Sequence, residues 1–293
     1  MAHYSIRDIE KLSGIKAHTI RIWEKRYKLV EPKRTDTNIR YYDDEDLKKL
    51  LNVALLNRNG HRISQIACLD NEQLTKKIQN LSGNQRDHES RIDDLIISMI
   101  ELDERKFEKV LATAIMQSGF EDTMIFTLYP FFEKIGILWQ TGAINPAQEH
   151  FISNLVRQKL IVAIDGMVDR SDINSKHFLL FLPEDELHEL GLLFKYYLLK
   201  KRGHRITYLG QSVPLRDLVK VGRLINPDVL VTSFYTSISA QQVNTYLTEL
   251  STRFPNQGII FTNTDIDFHL DVRSNNIFMV REINGFLDIL DTY

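Results

Sequence analysis

The chain has 293 residues, of which 43% are hydrophobic and 26% charged, a composition typical of a soluble globular protein with two or three domains. No run of roughly 18 or more apolar residues is present, and the first residues lack the basic region and apolar core of a secretory signal. The only cysteine, Cys68, excludes an intrachain disulfide and a cysteine-based zinc site, so we expect a cytoplasmic protein without a membrane span.

The formal net charge of −2 is unevenly distributed along the chain. Residues 1–80 contain 16 Lys and Arg against 11 Asp and Glu, whereas the remainder contains 21 against 28. A basic N-terminal part on an acidic remainder indicates that the N-terminal part contacts a polyanion such as DNA.

Residues 5–27 predict two short helices joined by a tight turn, which is a helix-turn-helix. Ser5 is a plausible N-cap, Ile6, Ile9 and Leu12 recur at helical spacing, and Ser13-Gly14 ends the first helix. The second helix directs Ile20 and Trp23 inward. Its outward side chains that suit phosphates and base edges are His18, Thr19, Arg21, Lys25 and Arg26.

A two-stranded wing follows the second helix, with a polar loop at Thr35 to Asn38. It carries Lys33, Arg34 and Arg40, which suit contacts to the DNA backbone. Asp43 then caps a third helix with leucines on one face, and a short helix follows near Ile63 to Leu69.

This N-terminal pattern resembles the MerR family of transcription regulators. The matching residues are Tyr4-Ser5-Ile6, Leu12-Ser13-Gly14-Ile15, Thr19-Ile20-Arg21, Trp23-Glu24-Lys25-Arg26-Tyr27, Pro32, Arg34, Asn38, Arg40-Tyr41 and Asp46-Leu47. The resemblance implies a double-stranded operator as partner, bound by a homodimer or higher oligomer, and it adds Tyr41 to the DNA-binding set. The alternative is a helical interaction module with incidental basic residues.

Beyond this head, residues 1–75, we predict a linker at 76–90 and a four-helix bundle at 91–172. A stripe that includes Ile92, Leu95, Ile96 and Met99 marks the bundle's first helix. Trp139 and the pair Glu149-His150 lie in apolar helices, where a core tryptophan and a local Glu–His pair are the plain interpretation.

Residues 174–293 alternate near-continuous apolar strands with helices, beginning with the strand His177 to Pro183 and a helix from Glu186 to Lys201. This alternation predicts a doubly wound, Rossmann-like parallel sheet, in which ligands bind outside the carboxyl ends of the strands. His188 lies at that edge. Its imidazole suits cobalt, iron or zinc, and Gly191 leaves room for a bulky group, although a surface histidine at a helix start is the plain alternative.

The segment Glu186-Leu187-His188-Glu189-Leu190-Gly191 resembles the signature of the vitamin-B12-binding domain, and Trp139 with Glu149-His150 resembles the helical cap of CarH-like photoreceptor regulators. The resemblance implies adenosylcobalamin as cofactor, with its cobalt bound by His188 between bundle and sheet. Light would break the carbon–cobalt bond and dissociate the oligomer from DNA. The implied cofactor-binding residues are Trp139, Glu149, His150, Glu186, His188, Gly191 and Ser233.

Two departures from that family concern the cofactor's nucleotide tail, which enters the sheet beside small residues. The third strand ends Thr232-Ser233-Phe234-Tyr235, with aromatic residues beside the serine, and Phe261 to Thr264 lacks the family's glycine pair. We therefore expect a tail pocket that is narrowed or lost.

Three functions follow from the sequence. The first is a transcriptional repressor that senses adenosylcobalamin, with light as the trigger. The second is a regulator whose degenerate, cofactor-free B12-like domain serves dimerisation or binds a protein antagonist. The third, a corrinoid enzyme fragment, leaves the winged head unexplained, and the sequence shows no P-loop, nucleophile elbow or paired catalytic carboxylates.

Overall fold

The computed structural model describes residues 3–35, 38–58, 60–70, 73–74, 77, 88–136, 144–168, 170, 175–235, 239–263, 268–271 and 274–291, together with the backbone of 137–140. The chain divides into two compact units, Met1–Ser153 and Asn154–Tyr293. The finer division at 75, 90 and 172 stays a prediction, and most of the predicted linker lies outside the described residues.

The head begins with the predicted helix-turn-helix. Helix α1, Ile6–Ser13, has a capping box in which the Asp8 amide donates to the Ser5 hydroxyl at 3.3 Å and the Ser5 amide to the Asp8 carboxylate at 2.7 Å. It ends at Gly14, whose φ of 71° is the left-handed conformation that glycine adopts without strain. Helix α2 spans Ala17–Tyr27. Its first amide, that of Ala17, donates to the Glu10 carboxylate at 3.1 Å.

The predicted wing is present as strand β1, Lys33–Arg34, paired antiparallel with β2, Arg40–Tyr41. A bridge between Tyr4 and Tyr42 ties the wing to the start of the chain. Helix α3 spans Asp44–Arg58. Asp43 caps its start as predicted, since the Asp43 carboxylate accepts a hydrogen bond from the Asp46 amide at 3.0 Å. Helix α4, Ile63–Ile66, is shorter than predicted.

The predicted helical bundle consists, in the described part of the chain, of four helices and a π-helical segment. These are α5 at His88–Glu101, α6 at Glu104–Thr123, the π-helix at Met124–Leu128, α7 at Tyr129–Gln140 and α8 at Pro146–Asp165. Helix α6 is kinked at Gly119, whose φ of 82° and ψ of 166° are not helical. Helix α5 begins at His88, inside the predicted linker.

Within the unit Met1–Ser153, charged side chains connect the head to the bundle. Arg58 at the end of α3 pairs with Glu89 at 2.6 Å and with the buried Asp93 of α5. Lys134 of α7 lies 3.7 Å from Asp93 and donates to the carbonyl of Leu12 in α1 at 3.1 Å. Burial raises the pKa of Asp93 to about 6, although Arg58 and Lys134 oppose the shift.

The second unit contains the predicted parallel sheet. Its described strands are β3 at His177–Pro183, β4 at Arg205–Val213, β5 at Val229–Phe234, β6 at Gly258–Asn263 and β7 at Ile277–Val280. The described helices that alternate with them are α9 at Leu190–Lys201, α10 at Leu215–Ile225, α11 at Ala240–Arg253 and α12 at Ile283–Leu290.

The strand order is β4-β3-β5-β6-β7, with every described pair parallel. The order reverses between β3 and β5, so the ligand crevice of a doubly wound sheet is expected beyond the carboxyl ends of these two strands. Helix α9 begins four residues later than the predicted start at Glu186. The residues at 184–189 therefore form a loop at that crevice, and His188 is in the loop and not in the helix.

The core of this unit is formed by both faces of the sheet. Strand β5 is buried along its whole length, and Leu179, Leu230 and Ile259 of adjacent strands pack in one hydrophobic cluster with Leu247 of α11. Full burial of successive strand residues explains why the strands read as continuous apolar runs. Among the helices of the described residues, none is long and apolar enough to cross a membrane.

Candidate functional site

The outward face of α2 is basic and accessible. His18, Arg21, Lys25 and Arg26 are exposed, as predicted, whereas Thr19 is only partly so. The opposite face is anchored, since Ile20 is fully buried and Trp23 is 8% exposed. The helix therefore presents several cationic groups on a fixed support, which suits a nucleic-acid groove.

Glu24 ties this helix to the wing, a role that the sequence reasoning missed. Its carboxylate accepts a hydrogen bond from the Tyr42 hydroxyl and lies 3.6 Å from the guanidinium of Arg40. Burial is the main cause that raises the pKa of Tyr42, which stays a neutral donor. Arg40 is half-exposed and partly neutralised by Glu24, so fewer of its donors face outward than those of Arg21.

The remaining predicted wing residues have local partners. Lys33 forms an ion pair with Asp43, which raises the pKa of Lys33, and Arg34 donates to the Asn38 side chain at 2.6 Å. Tyr41 packs its ring against that of His3 at 4.0 Å. These contacts order the wing, and the exposed positions of Lys33 and Arg34 remain compatible with phosphate contacts.

At the sheet edge, Glu186 organises the loop after β3. It is 3% exposed, and one carboxylate oxygen accepts from the Tyr235 amide at 2.8 Å. The other accepts from the His188 amide at 3.0 Å and lies 2.7 Å from Nδ1 of the His188 ring. This buried carboxylate therefore holds the loop, the end of β5 and the imidazole in one arrangement.

The arrangement of His188 matches that of a metal-ligating histidine. Such histidines commonly donate one ring nitrogen to a carboxylate, which fixes the ring and makes the other nitrogen the ligand. With Nδ1 at Glu186, Nε2 is the nitrogen that would bind cobalt, and the side chain is 66% exposed. His188, oriented by Glu186, is thus the residue that would hold the cobalt of a corrin.

Gly191 does not leave open space, contrary to the prediction of room for a bulky group. A Cβ atom placed on Gly191 would lie 2.4 Å from the hydroxyl oxygen of Tyr235. The glycine therefore accommodates the Tyr235 ring, which also lies edge-on to the His188 ring at 6.5 Å. A substituent at position 191 would displace Tyr235.

Ser233 lies in the interior and already has a partner. Lys195 of α9, 2% exposed, donates to the Ser233 hydroxyl at 2.8 Å and to the Thr262 hydroxyl at 2.6 Å. Its ammonium group also lies 5.6 Å from the centre of the Phe286 ring. Burial lowers the pKa of Lys195 to about 7.

The sequence reasoning missed Lys195, because a lysine after five apolar residues of a helix gives no indication of its burial. Its side chain fills the space beside Ser233 and Thr262, where the resemblance implies the nucleotide tail. The residues present therefore fit an axially ligated corrin and, in this arrangement, do not fit a tail inserted beside Ser233. The expected narrowing of the pocket has a physical cause in Lys195.

The three predicted cap residues lie on two helices of the bundle. Trp139 is in α7, and its side chain lies outside the described part. Glu149 and His150 are in the first turn of α8, and Nε2 of His150 lies 3.6 Å from the Glu149 carboxylate. The Ser153 hydroxyl donates to the same carboxylate, and His150 is 71% exposed. A local Glu–His pair is present, and its cofactor role stays a prediction.

Two family models match the chain. One, described as the MerR HTH family regulatory protein, matches residues 4–72, and the other, described as a B12 binding domain, matches residues 91–163. The first coincides with the helix-turn-helix and wing, and the second with the helical bundle. The predictions of a MerR-type head and of a B12-binding-type architecture behind it are confirmed.

Relatives and one solved structure agree with this organisation. The HTH-type transcriptional repressor CarH of Myxococcus xanthus is 28% identical over 263 residues, which cover 86% of this chain and 85% of CarH. The repressor CarA of the same organism is 27% identical over 78% of this chain and 75% of CarA. The monomethylamine corrinoid protein of Methanosarcina barkeri is 12% identical, with a TM-score of 0.57 over 71% of this chain and 100% of its own. That likeness shows the fold alone.

Proposed function

We propose that this protein is a sequence-specific DNA-binding repressor controlled by adenosylcobalamin. Its chain joins a MerR-type helix-turn-helix head to a B12-binding-type domain. The observation that carries the sensing part is His188, held at Nδ1 by the buried Glu186 beyond β3, at the switch point of a parallel sheet. The two relatives that align over most of the chain are named repressors, which favours a regulator over a corrinoid enzyme.

In the head, α2 would enter the major groove and the wing would contact the flanking backbone. Eleven residues of helix are about 16 Å long, which spans few base pairs. Useful specificity therefore requires two heads at a fixed spacing, on a pseudo-palindromic operator. Assembly of the protein into a dimer or higher oligomer would then control binding without any change in Arg21 or Lys25.

In the sensor, Nε2 of His188 would ligate cobalt, and Glu186 would keep the ring in the required tautomer. Trp139, Glu149 and His150 would be further residues that contact the cofactor. When bound, adenosylcobalamin supplies a carbon–cobalt bond that light can break, which makes it a suitable trigger. The adenosyl form, the light response and a protein antagonist as a further partner belong to this proposal.

Contacts inside the first unit connect the helical bundle to the DNA-binding head. Lys134 of α7 contacts both the Leu12 carbonyl and Asp93, and Arg58 joins Asp93 to the end of α3. A shift of α7 would move the cationic group that caps α1, next to the recognition helix. Ligand contacts to the bundle would thereby bias the position of the head.

The experiment is dark reconstitution with adenosylcobalamin, followed by gel filtration with absorbance recorded across the protein peak. We expect a bound corrinoid whose spectrum changes in His188→Ala, because the axial nitrogen is lost. Glu184→Gln, an exposed neighbour outside the proposed ligand set, is the matched control and should retain the wild-type spectrum. A colourless wild-type peak would contradict the proposal.

A second candidate function is a regulator whose sheet domain binds no cofactor and serves dimerisation or an antagonist protein. The observation in its favour is Lys195, which bonds Ser233 and Thr262 and fills the space beside them. The same gel filtration separates the two candidates. A colourless peak that still elutes as a dimer and binds operator DNA would support the cofactor-free regulator.

A further inference from the structure

One large apolar side chain lies exposed on the recognition helix. Ile22 is 52% exposed, whereas Ile20 and Trp23 of the same helix are buried. An isoleucine left in contact with water contributes less to folding than a buried one. About half of the Ile22 surface is therefore available for a contact outside the chain.

The helical register places Ile22 in the middle of the basic face. His18 lies one turn before it and Arg26 one turn after it, at i−4 and i+4. Arg21 and Lys25 lie on one side of the row formed by His18, Ile22 and Arg26. All four are exposed, so Ile22 is an apolar spot surrounded by cationic or polar side chains.

We propose that Ile22 is a specificity-determining residue that reads thymine through its C5 methyl group in the major groove. This inference rests on the proposed function, namely that α2 binds DNA. Thymine is the only base with an apolar group on its major-groove edge, and isoleucine can form no hydrogen bond with the others. A donor or acceptor of another base placed against Ile22 would lose water without a replacement partner.

The surrounding charge favours DNA over an apolar protein partner. The residues of the α2 face at i−4, i−1, i+3 and i+4 from Ile22 are histidine, arginine, lysine and arginine. Burying these basic residues together with Ile22 against an apolar protein surface would remove several cations from water without a compensating partner. Against a major groove the same cations meet phosphates and base acceptors while Ile22 meets a methyl group.

The test uses the full-length protein and a duplex selected from a pool with a randomised central segment. Each thymidine of the selected half-site is then replaced, one at a time, by deoxyuridine, which removes only the C5 methyl. Binding is measured at one fixed salt concentration, because phosphate contacts make affinity strongly salt-dependent.

We expect one replacement to weaken wild-type binding by about fourfold per half-site, the value for one buried methyl-sized group. Ile22→Ala should bind the thymidine duplex less tightly and show no further loss on that replacement. Ile39→Ala is the matched control, since it removes another exposed isoleucine of the head, 64% exposed on the wing. It should keep the wild-type sensitivity to that replacement.

Equal losses in wild type and Ile22→Ala at every thymidine, or no loss at any, would overturn the assignment of Ile22. A selected half-site without thymidine would do the same. If no duplex is enriched and Arg21→Ala binds bulk DNA like wild type, the proposed function fails as well. Circular dichroism of Ile22→Ala and the intermediate variant Ile22→Val checks folding, and Ile22→Val should retain part of the thymidine preference.

Discussion

Lys25 on the recognition helix and Lys195 in the sheet domain carry the same ammonium group in opposite surroundings. Lys25 is exposed, beside Arg21 and Arg26. Lys195 is buried, with two hydroxyl oxygens and an aromatic ring as neighbours and no carboxylate among its hydrogen-bond partners. The exposed ammonium group can reach an external anion, whereas burial destabilises the cationic form of Lys195, which serves to fill and shape the interior.

The contrast separates what each region can recognise. The head offers exposed cationic side chains around Ile22, so its specificity depends on the partner's groove. The sheet domain offers one oriented imidazole at an edge, with a filled interior behind it.

The largest effect concerns the pH dependence of stability through Lys195. Its pKa falls from 10.5 to about 7 on folding, so the unfolded chain binds the extra proton between these values. The free energy of unfolding should therefore rise with pH from 7 to 10.5, by roughly 5 kcal/mol at most. Below pH 7 the full cost of burying the ammonium is present.

Lys195→Met removes the buried amine and keeps most of the length of the side chain. The variant should be more stable than wild type at pH 7, and its free energy of unfolding should no longer increase between pH 7 and 10.5. Urea unfolding of the sheet domain at several pH values measures both effects. Lys220→Met is the control, because Lys220 is an exposed lysine of α10. A slope that Lys195→Met leaves unchanged would show that the ammonium is not desolvated.

Arg58→Ala tests the ionic link between head and bundle. It leaves the buried Asp93 with Lys134 alone and should destabilise the first unit by about 3 kcal/mol, since an uncompensated buried charge is costly. Urea unfolding followed by the intrinsic fluorescence of Trp23 and Trp139, both of which lie in the first unit, reports this loss. Arg62→Ala, an exposed arginine of the same head, should have little effect; an equal loss in both variants would remove the special role of Arg58.

Arg21→Ala tests the recognition face. It should weaken operator binding by about 1–3 kcal/mol per half-site if Arg21 contacts a base or a close phosphate. Arg40→Ala should cost less, because Glu24 already shares the Arg40 guanidinium. Fluorescence anisotropy with a labelled operator measures both, and Arg253→Ala in α11 is the control. A larger loss in Arg40→Ala would reverse the assignment of helix and wing.

Glu186→Gln tests the orientation of His188. The neutral amide cannot hold the Nδ1 proton as strongly, so corrinoid affinity should fall by about tenfold. Titration followed by absorbance measures it. Glu184→Gln, on the same loop but exposed, should bind like wild type. Unchanged affinity in Glu186→Gln would mean that the carboxylate serves only the fold of the loop.

The sequence predicted the fold well where periodicity decides it. Strand β3 and the helices α1 and α2 lie close to their predicted positions, because continuous apolar runs and capping residues are local signals. The start of α9 was wrong by four residues, since Glu186 bonds to Tyr235, 49 residues away, and holds the loop out of the helix.

The candidate site was predictable in part. His188 and the basic face of α2 follow from residue type and spacing. The burial of Lys195 and the room that Gly191 gives to Tyr235 depend on contacts between distant parts of the chain, so no local pattern contains them. The exposure of Ile22 likewise depends on how α2 packs in the head, so its spacing along the sequence does not indicate it.

The central claim is that the cofactor site controls the head. It is tested most directly by measuring operator affinity and particle size on the same samples, with and without adenosylcobalamin, in the dark and after illumination. We expect adenosylcobalamin in the dark to increase both the operator affinity and the particle size of the wild-type protein, and light to reverse both changes. His188→Ala should respond weakly or not at all. Identical affinity and size under all conditions in wild type would contradict it.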